Sequence, residues 1–431
     1  MTTFESISFT PPVVDPATFG FAPCEGGVCA ALGIKASGTH AGFRADPNRL
    51  DLAVVASYKA CTCAATFTTN RFCAAPVQIS RERAASGVAR AVMLNSGNAN
   101  ASTGDQGLAV ARESARLLAK ALECPEEQVL VASTGVIGQQ QAIDPYVDGA
   151  AAAVAALGSD EAHAHAAARA VMTTDTVPKE VSLEGTLPCA EGEKPRTVHV
   201  GGFCKGSGMI MPNMATMISC ITTDVPVTPD VLHHALTAVV PQTFNKITVD
   251  SDTSTNDCCY LFASGAAAPG CAPFELDSAA YNCFERALLA VCNTIARGMA
   301  ADGEGATRLI TVRVTGAFDD AQADQAARTI ANSPLVKTAI FGHDANWGRI
   351  AAAAGRSGAQ FDQYDVSIDI MGMPVLRGGL PIPFDEEEAL RRFERPEIEI
   401  DIDLGAGTAS TTMWTCDFSY DYVTINGDYR T

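Results

Sequence analysis

Three runs toward the carboxyl end, RLITVRVTG (308–316), VSIDIMG (366–372) and EIEIDIDLG (397–405), alternate apolar and polar residues with period two. Such strands bury one face and offer the other to water, unlike the continuous apolar strands of a parallel sheet covered on both sides. Helical patterns occur between strands along the chain, yet no regular βαβ repetition links them. The pattern predicts an α+β chain, with sheets packed against helix layers, and excludes a parallel doubly wound sheet.

Earlier in the chain, LAVVAS, AATFTTN and APVQIS predict short strands of a sheet layer between Gly26 and about Leu94. Residues 105–123 carry apolar positions at helical spacing behind Thr103-Gly104-Asp105. VLVASTGVIG then reads as a strand entering a tight turn, and 146–157 and 160–171 as alanine-rich helices. A hairpin is expected around a charged turn from Glu191 to Arg196. Beyond ITTD come a helix near Pro229-Asp230, a strand KITVD (246–250), an apolar run CCYLFAS and a long helix from Asp277 to about Met299.

Composition narrows the function. The chain has 431 residues, 47% hydrophobic and 18% charged, enough for a sizeable core. Its net charge of −19 disfavours a nucleic-acid partner, since binding phosphates relies on Lys and Arg displacing counterions. The amino-terminal stretch has no basic and apolar leader, and no apolar run reaches the roughly 18 residues of a membrane span, so a cytoplasmic location is expected. Fifteen cysteines, mostly single and in apolar surroundings as at Cys204, Cys220, Cys283 and Cys292, read as buried free thiols of a reducing compartment. Neither Cys61–Cys63 nor Cys258–Cys259 is matched by a second pair at zinc-ligand spacing. His163 and His165, like His233 and His234, fall on different faces of helical segments. No metal is therefore expected, and the missing phosphate-loop and GxSxG patterns argue against nucleotide binding and a serine elbow at Ser207.

Hydroxyls instead concentrate in ASTGVIG (Thr134, Gly135), MTTDT (Thr173, Thr174, Thr176) and NMATM (Thr216). Singly, each cluster reads as turns or caps. Together they suggest an enzyme with an amino-terminal nucleophile. In GSGMIMPNMATMISCITTD (206–224), a cut before Thr216 would free an α-amine with a pKa of about 8 beside the Thr216 hydroxyl, able to activate it without a histidine. The hydroxyl can make the cut itself by attacking the Ala215 carbonyl, and the small Ala215 leaves that attack unobstructed.

At these residues the sequence resembles the ornithine acetyltransferase family, the glutamate N-acetyltransferases of arginine biosynthesis. NSGNANASTG, ASTGVIG, MTTDT, KGSGMIMPNMATM, SDTSTND, ADGEGATRLI, FGHDANWGRI and INGDYRT follow in family order from about Gly27 to Thr431. The resemblance implies an Nte-nucleophile fold (ornithine acetyltransferase/aminopeptidase-like) and self-cleavage at Ala215–Thr216. It further implies an α chain 1–215 and a β chain 216–431 in one intertwined globular unit, assembled as two α and two β. Acetyl would pass from N2-acetyl-L-ornithine to L-glutamate by a ping-pong route through Thr216, with no cofactor; acetyl-CoA is left open as a second donor. Thr134 and Gly135 would form the oxyanion hole. Thr173, Thr174, Lys205, Thr216, Glu304, Asn426 and Thr431 would contact substrate, Lys205 through a carboxylate and Glu304 through the ornithine ammonium. The rivals are a self-processing aminopeptidase or amidase that gives the acyl group to water, and a catalytically silent protein of the same fold.

Overall fold

The structure, a computed structural model, describes residues 15–188, 196–211, 217–268 and 273–428. Among them, the larger sheet contains β1 (Phe21–Pro23), β2 (Ile34–Thr39), β3 (Leu52–Phe67), β4 (Val88–Asn98), β5 (Val129–Val136), β6 (Lys179–Thr186), β7 (Thr197–Lys205), β8 (Ile218–Thr223) and β9 (Cys258–Ala263). Their spatial order is β1-β6-β7-β8-β9-β3-β4-β5, with β2 also paired to β3. The β4–β5 and β8–β9 pairs are parallel and the others antiparallel. The smaller sheet runs β13 (Leu380–Pro381), β12 (Met373–Arg377), β11 (Ser367–Ile370), β14 (Glu397–Asp403), β10 (Leu309–Ala317), β15 (Ala409–Cys416).

Period two sorts side chains between cores. In β3, Leu52 and Val54 join one apolar cluster with helices Gly104–Ala121 and Asp144–Ala155, while Ala53 and Val55 join another with helix Glu161–Ala170. Farther along the sheet, Val200, Ile221 and Leu261 pack under helices Pro229–Val239 and Ala279–Ala301. In the smaller sheet the Ile residues of EIEIDID are buried, with Ile398 and Ile400 packed beside Ala323 and Ile330 of helix Asp320–Ala331. Helix caps follow the sequence: Ser278 Oγ accepts from Tyr281 N at 3.1 Å and opens the long helix. The expected α+β class with sheets against helix layers is what the chain forms, and no helix among the described residues is long and apolar enough to cross a membrane.

Four sequence readings change. LAVVAS and AATFTTN belong to one strand, β3, whose pairing with β4 shifts register between Ala56 and Cys61. APVQIS is not a strand but the start of helix Ala75–Ala84. Pro76 suits a first helical turn, Ala75 and Ile79 are buried four residues apart, and Ser80 Oγ bonds both Val131 N (2.8 Å) and Val131 O (2.6 Å) of the edge strand β5. KITVD is likewise no strand. It threads between the sheets, Thr248 N donating to Trp414 O (2.9 Å) and Val249 N to Ile210 O (2.6 Å), so two separate segments replace one ladder partner. Cys204, Cys220 and Cys292 are buried free thiols as expected, but Cys283 is only half-buried, its thiol donating to Phe19 O at 3.4 Å. The hairpin of β6 and β7 is formed; most of its charged turn lies outside the described residues.

Candidate functional site

The site begins where β4 and β5 end. Ser96 pairs with Thr134 and Gly97 with Gly135, and a bulge follows at Asn98. Gly97 has φ +108° and Gly135 φ +132°, and the two backbones are so close that a Cβ on Gly135 would lie 2.3 Å from the Gly97 carbonyl carbon. The bulge re-aims the strand end, and Asn256 pins it, its Nδ2 donating to Ala99 O (2.6 Å) and Ser133 O (2.9 Å). Thr134 and Gly135 consequently face a cavity of about 190 Å³.

Three other segments wall the same cavity. Lys205, the last residue of β7, places Nζ 3.2 Å from Thr134 Oγ1 and donates to it. With its lone pair so engaged, the Thr134 hydroxyl can turn its own hydrogen toward a reacting oxygen. Thr173 and Thr174 line the opposite wall in the loop after helix Glu161–Ala170. The third wall is the turn ending the long helix, Asp302-Gly303-Glu304-Gly305. Gly305, at φ +69°, sits so near the carboxyl-terminal helix Tyr420–Asp428 that a Cβ would lie 2.4 Å from Tyr422 N. That approach sets the buried Glu304 carboxylate within reach of Asn426, whose Nδ2 donates to Glu304 Oε2 at 2.8 Å.

Hence Thr134, Gly135, Thr173, Thr174, Lys205, Glu304 and Asn426, named from distant parts of the sequence, line one cavity. Ala215, Thr216 and Thr431 lie outside the described residues. Thr176 faces away from this group, its N–H donating to Asp302 Oδ2 at 3.1 Å with its hydroxyl on the same carboxylate. Ser207 is buried and donates to Asp302 O (2.6 Å), which suits a packed serine rather than a nucleophile. His163 and His165 bond separately to Asp160 and Glu180, each at 2.5 Å.

Sequence reasoning gave no role to Asp250, Asn256 or Tyr422, which also line the cavity. Their sequence signals were KITVD, which ends at Asp250, SDTSTND, which holds Asn256, and the approach to INGDYRT. Asp250 accepts from Met209 N (2.5 Å) and Ile210 N (2.7 Å) and so holds Met209 at φ +54°, a left-handed conformation unusual for this side chain. Burial raises the Asp250 carboxyl above its ordinary value despite those two donors. Burial, with Asp250 and Glu304 nearby, pushes the Tyr422 phenol up to about 12, so it stays a neutral donor. Behind the walls, Asp175, Lys179 and Asp302 form a buried ionic cluster. Burial alone would raise Asp175, but Lys179 and Lys205 outweigh it and hold the carboxyl well below the usual range.

Among the described residues, a polar cavity with one cation, several carboxylates and a hydroxyl beside a glycine N–H can hold a zwitterionic amino-acid derivative and stabilise an oxyanion. The ArgJ family profile matches residues 35–431. The arginine biosynthesis bifunctional protein ArgJ of Synechococcus sp. is 47% identical over 416 residues, covering 94% of this chain and 98% of that protein. Its namesake from Symbiobacterium thermophilum is 47% identical over 408 residues, covering 94% and 99%. A crystal structure of arginine biosynthesis bifunctional protein argJ from Bacillus halodurans aligns at 43% identity and a TM-score of 0.48, over 50% of this chain and all of that one. With the profile spanning nearly the whole length and relatives close to half identical end to end, the chain belongs to the ArgJ family.

Proposed function

We propose that this protein moves acetyl from N2-acetyl-L-ornithine to L-glutamate through an acetyl ester on Thr216, after cutting its own chain at Ala215–Thr216 into an α chain 1–215 and a β chain 216–431. The observation that carries the reading is the single cavity that gathers Thr134, Gly135, Lys205, Glu304 and Asn426. In the cut, the Thr216 hydroxyl oxygen attacks the Ala215 carbonyl carbon, the peptide C–N bond breaks as the amine takes a proton, and water hydrolyses the resulting ester. The freed α-amine then accepts the Thr216 hydroxyl proton as the oxygen attacks the acetyl carbonyl. Thr134 O–H and Gly135 N–H meet the oxyanion. Collapse expels the ornithine α-amine, which takes the proton back. Glutamate's amine attacks the ester in the reverse sense and leaves as N-acetylglutamate.

Lys205 suits the substrate carboxylate and Glu304, steadied by Asn426, the ornithine ammonium; Thr173, Thr174 and Thr431 offer hydroxyls. The word bifunctional in the relatives' names supports acetyl-CoA as a second donor. The reading includes assembly as two α and two β chains in the cytoplasm.

Intact-mass analysis tests the cut: the purified protein should give two pieces meeting at Ala215–Thr216, and Thr216→Ala a single chain. A Thr216→Ala protein cut at the same bond would remove the hydroxyl from the mechanism. Assays with acetylornithine and, separately, acetyl-CoA then read acetylglutamate; release of free acetate faster than transfer to glutamate would favour an amidase.

A further inference from the structure

We propose that Lys179, which does not line the cavity, is the positioning residue that holds three of its substrate-facing walls in register. The Lys179 side chain is fully buried, and Nζ donates to Asp175 Oδ1 (2.7 Å) and Asp302 Oδ2 (2.5 Å). Each carboxylate in turn fixes backbone. Asp175 accepts from Thr173 N (2.9 Å), which orients the Thr173–Thr174 wall, and from Gly206 N (2.7 Å), the peptide that follows Lys205. Asp302 accepts from Thr176 N, and its carbonyl accepts from Ser207 Oγ (2.6 Å), whose own carbonyl accepts from Glu304 N (3.0 Å). One ammonium thus joins the hydroxyl wall, the Lys205 wall and the Glu304 wall.

The oxyanion pair touches this node at one point, Lys205 Nζ on Thr134 Oγ1, and its backbone is set elsewhere. Thr134 and Gly135 are set by the Gly97 contact and by Asn256 on Ser133. Loss of Lys179 should therefore loosen substrate contacts more than it disturbs the chemistry. Buried ion clusters are poor stabilisers compared with apolar residues of similar size, which favours a geometric role for this one. On the cleavage proposed above, on which this inference rests, Asp175 and Lys179 belong to the α chain and Asp302 to the β chain, so the node also ties the two pieces at the site.

Two variants of the full chain test it, Lys179→Met and Lys179→Met/Asp302→Asn. The second relieves the excess buried negative charge left by the first while leaving the node broken. Steady-state transfer with the processed proteins should show KM for acetylornithine and glutamate raised about 10-fold or more, with kcat within a few-fold, as expected when small misplacements weaken binding. The double variant should regain thermal stability without regaining KM. A folded variant of either kind with wild-type KM overturns the proposal, and so does a double variant that cannot fold, since Lys179 then serves the fold alone. Failure of the proposed function is distinguishable: the unmodified protein would itself not turn over acetylornithine.

Discussion

Gly135→Ala isolates the oxyanion geometry. A methyl there would lie 2.3 Å from the Gly97 carbonyl carbon and 2.6 Å from Asn98 N, both backbone atoms of the paired strand that cannot swing aside. The residue would also hold φ +132°, which L side chains avoid, at a cost of about 1–3 kcal/mol. Forcing β4 and β5 apart adds an overpacking penalty of about 1–3 kcal/mol. A separation that relieves the clash shifts the Gly135 N–H by roughly an ångström, and displacement on that scale costs about 100-fold in rate. The expected outcome is a folded protein with a lower melting temperature, slowed self-cleavage and a kcat for acetyl transfer down about 100-fold, while KM changes little. Calorimetry, intact mass and steady-state kinetics read these separately. A well-folded Gly135→Ala protein with kcat within a few-fold of the parent would refute the reasoning that this close strand contact sets the oxyanion donors.

Thr134→Ala removes a single donor and should lower kcat by ~100-fold in correctly processed enzyme, with less effect on KM; an unchanged kcat dismisses the hydroxyl. Deleting Asp428–Thr431 should leave self-cleavage largely intact and sharply lower kcat/KM, because Asn426 near that end holds the Glu304 carboxylate; full-length kcat/KM for both substrates in the truncated protein would make the terminus a bystander. Asp175 has a depressed folded pKa, so its contribution to stability is present at neutral pH and fades as pH falls below the unfolded value of about 4. Unfolding free energies from urea titrations between pH 6 and 3 should fall by up to about 1.4 kcal/mol per pH unit more in the parent than in Asp175→Asn; parallel slopes would show that Asp175 does not titrate in this way.

Local pattern carried the fold where burial has a simple period. The alternation in EIEIDIDLG and RLITVRVTG and the helical spacing of 105–123 appear as β14, β10 and helix Gly104–Ala121. It misled where a short apolar run has its partners elsewhere. APVQIS is helical because Ser80 caps an edge strand far away in sequence, and KITVD is irregular because β15 and the segment after β7 share its backbone groups. At the site, motifs supplied Thr134, Lys205 and Glu304, but the bonds between them did not follow from spacing. Lys179 carried no signal at all: its two partners are four and 123 residues away, and nothing short of the packed chain brings Asp302 to it.

The place of β8 and β9 in the larger sheet has a consequence for how the protein is made. The Ala215–Thr216 bond lies in the connection between β7 and β8, while β8 and β9 sit side by side between β7 and β3. A break there releases no separable module. The later piece contributes a two-stranded ribbon sealed on both sides by strands of the earlier one, Val200 to Thr223 along one ladder and Cys63 to Phe262 along the other. Pulling the pieces apart would bare two strand edges on each piece and open the cores on either face. Synthesised separately, each fragment would present those unpaired edges to every other copy, a recipe for aggregation. For the cut proposed above, topology sets the order of events: the chain has to fold whole before that bond is broken.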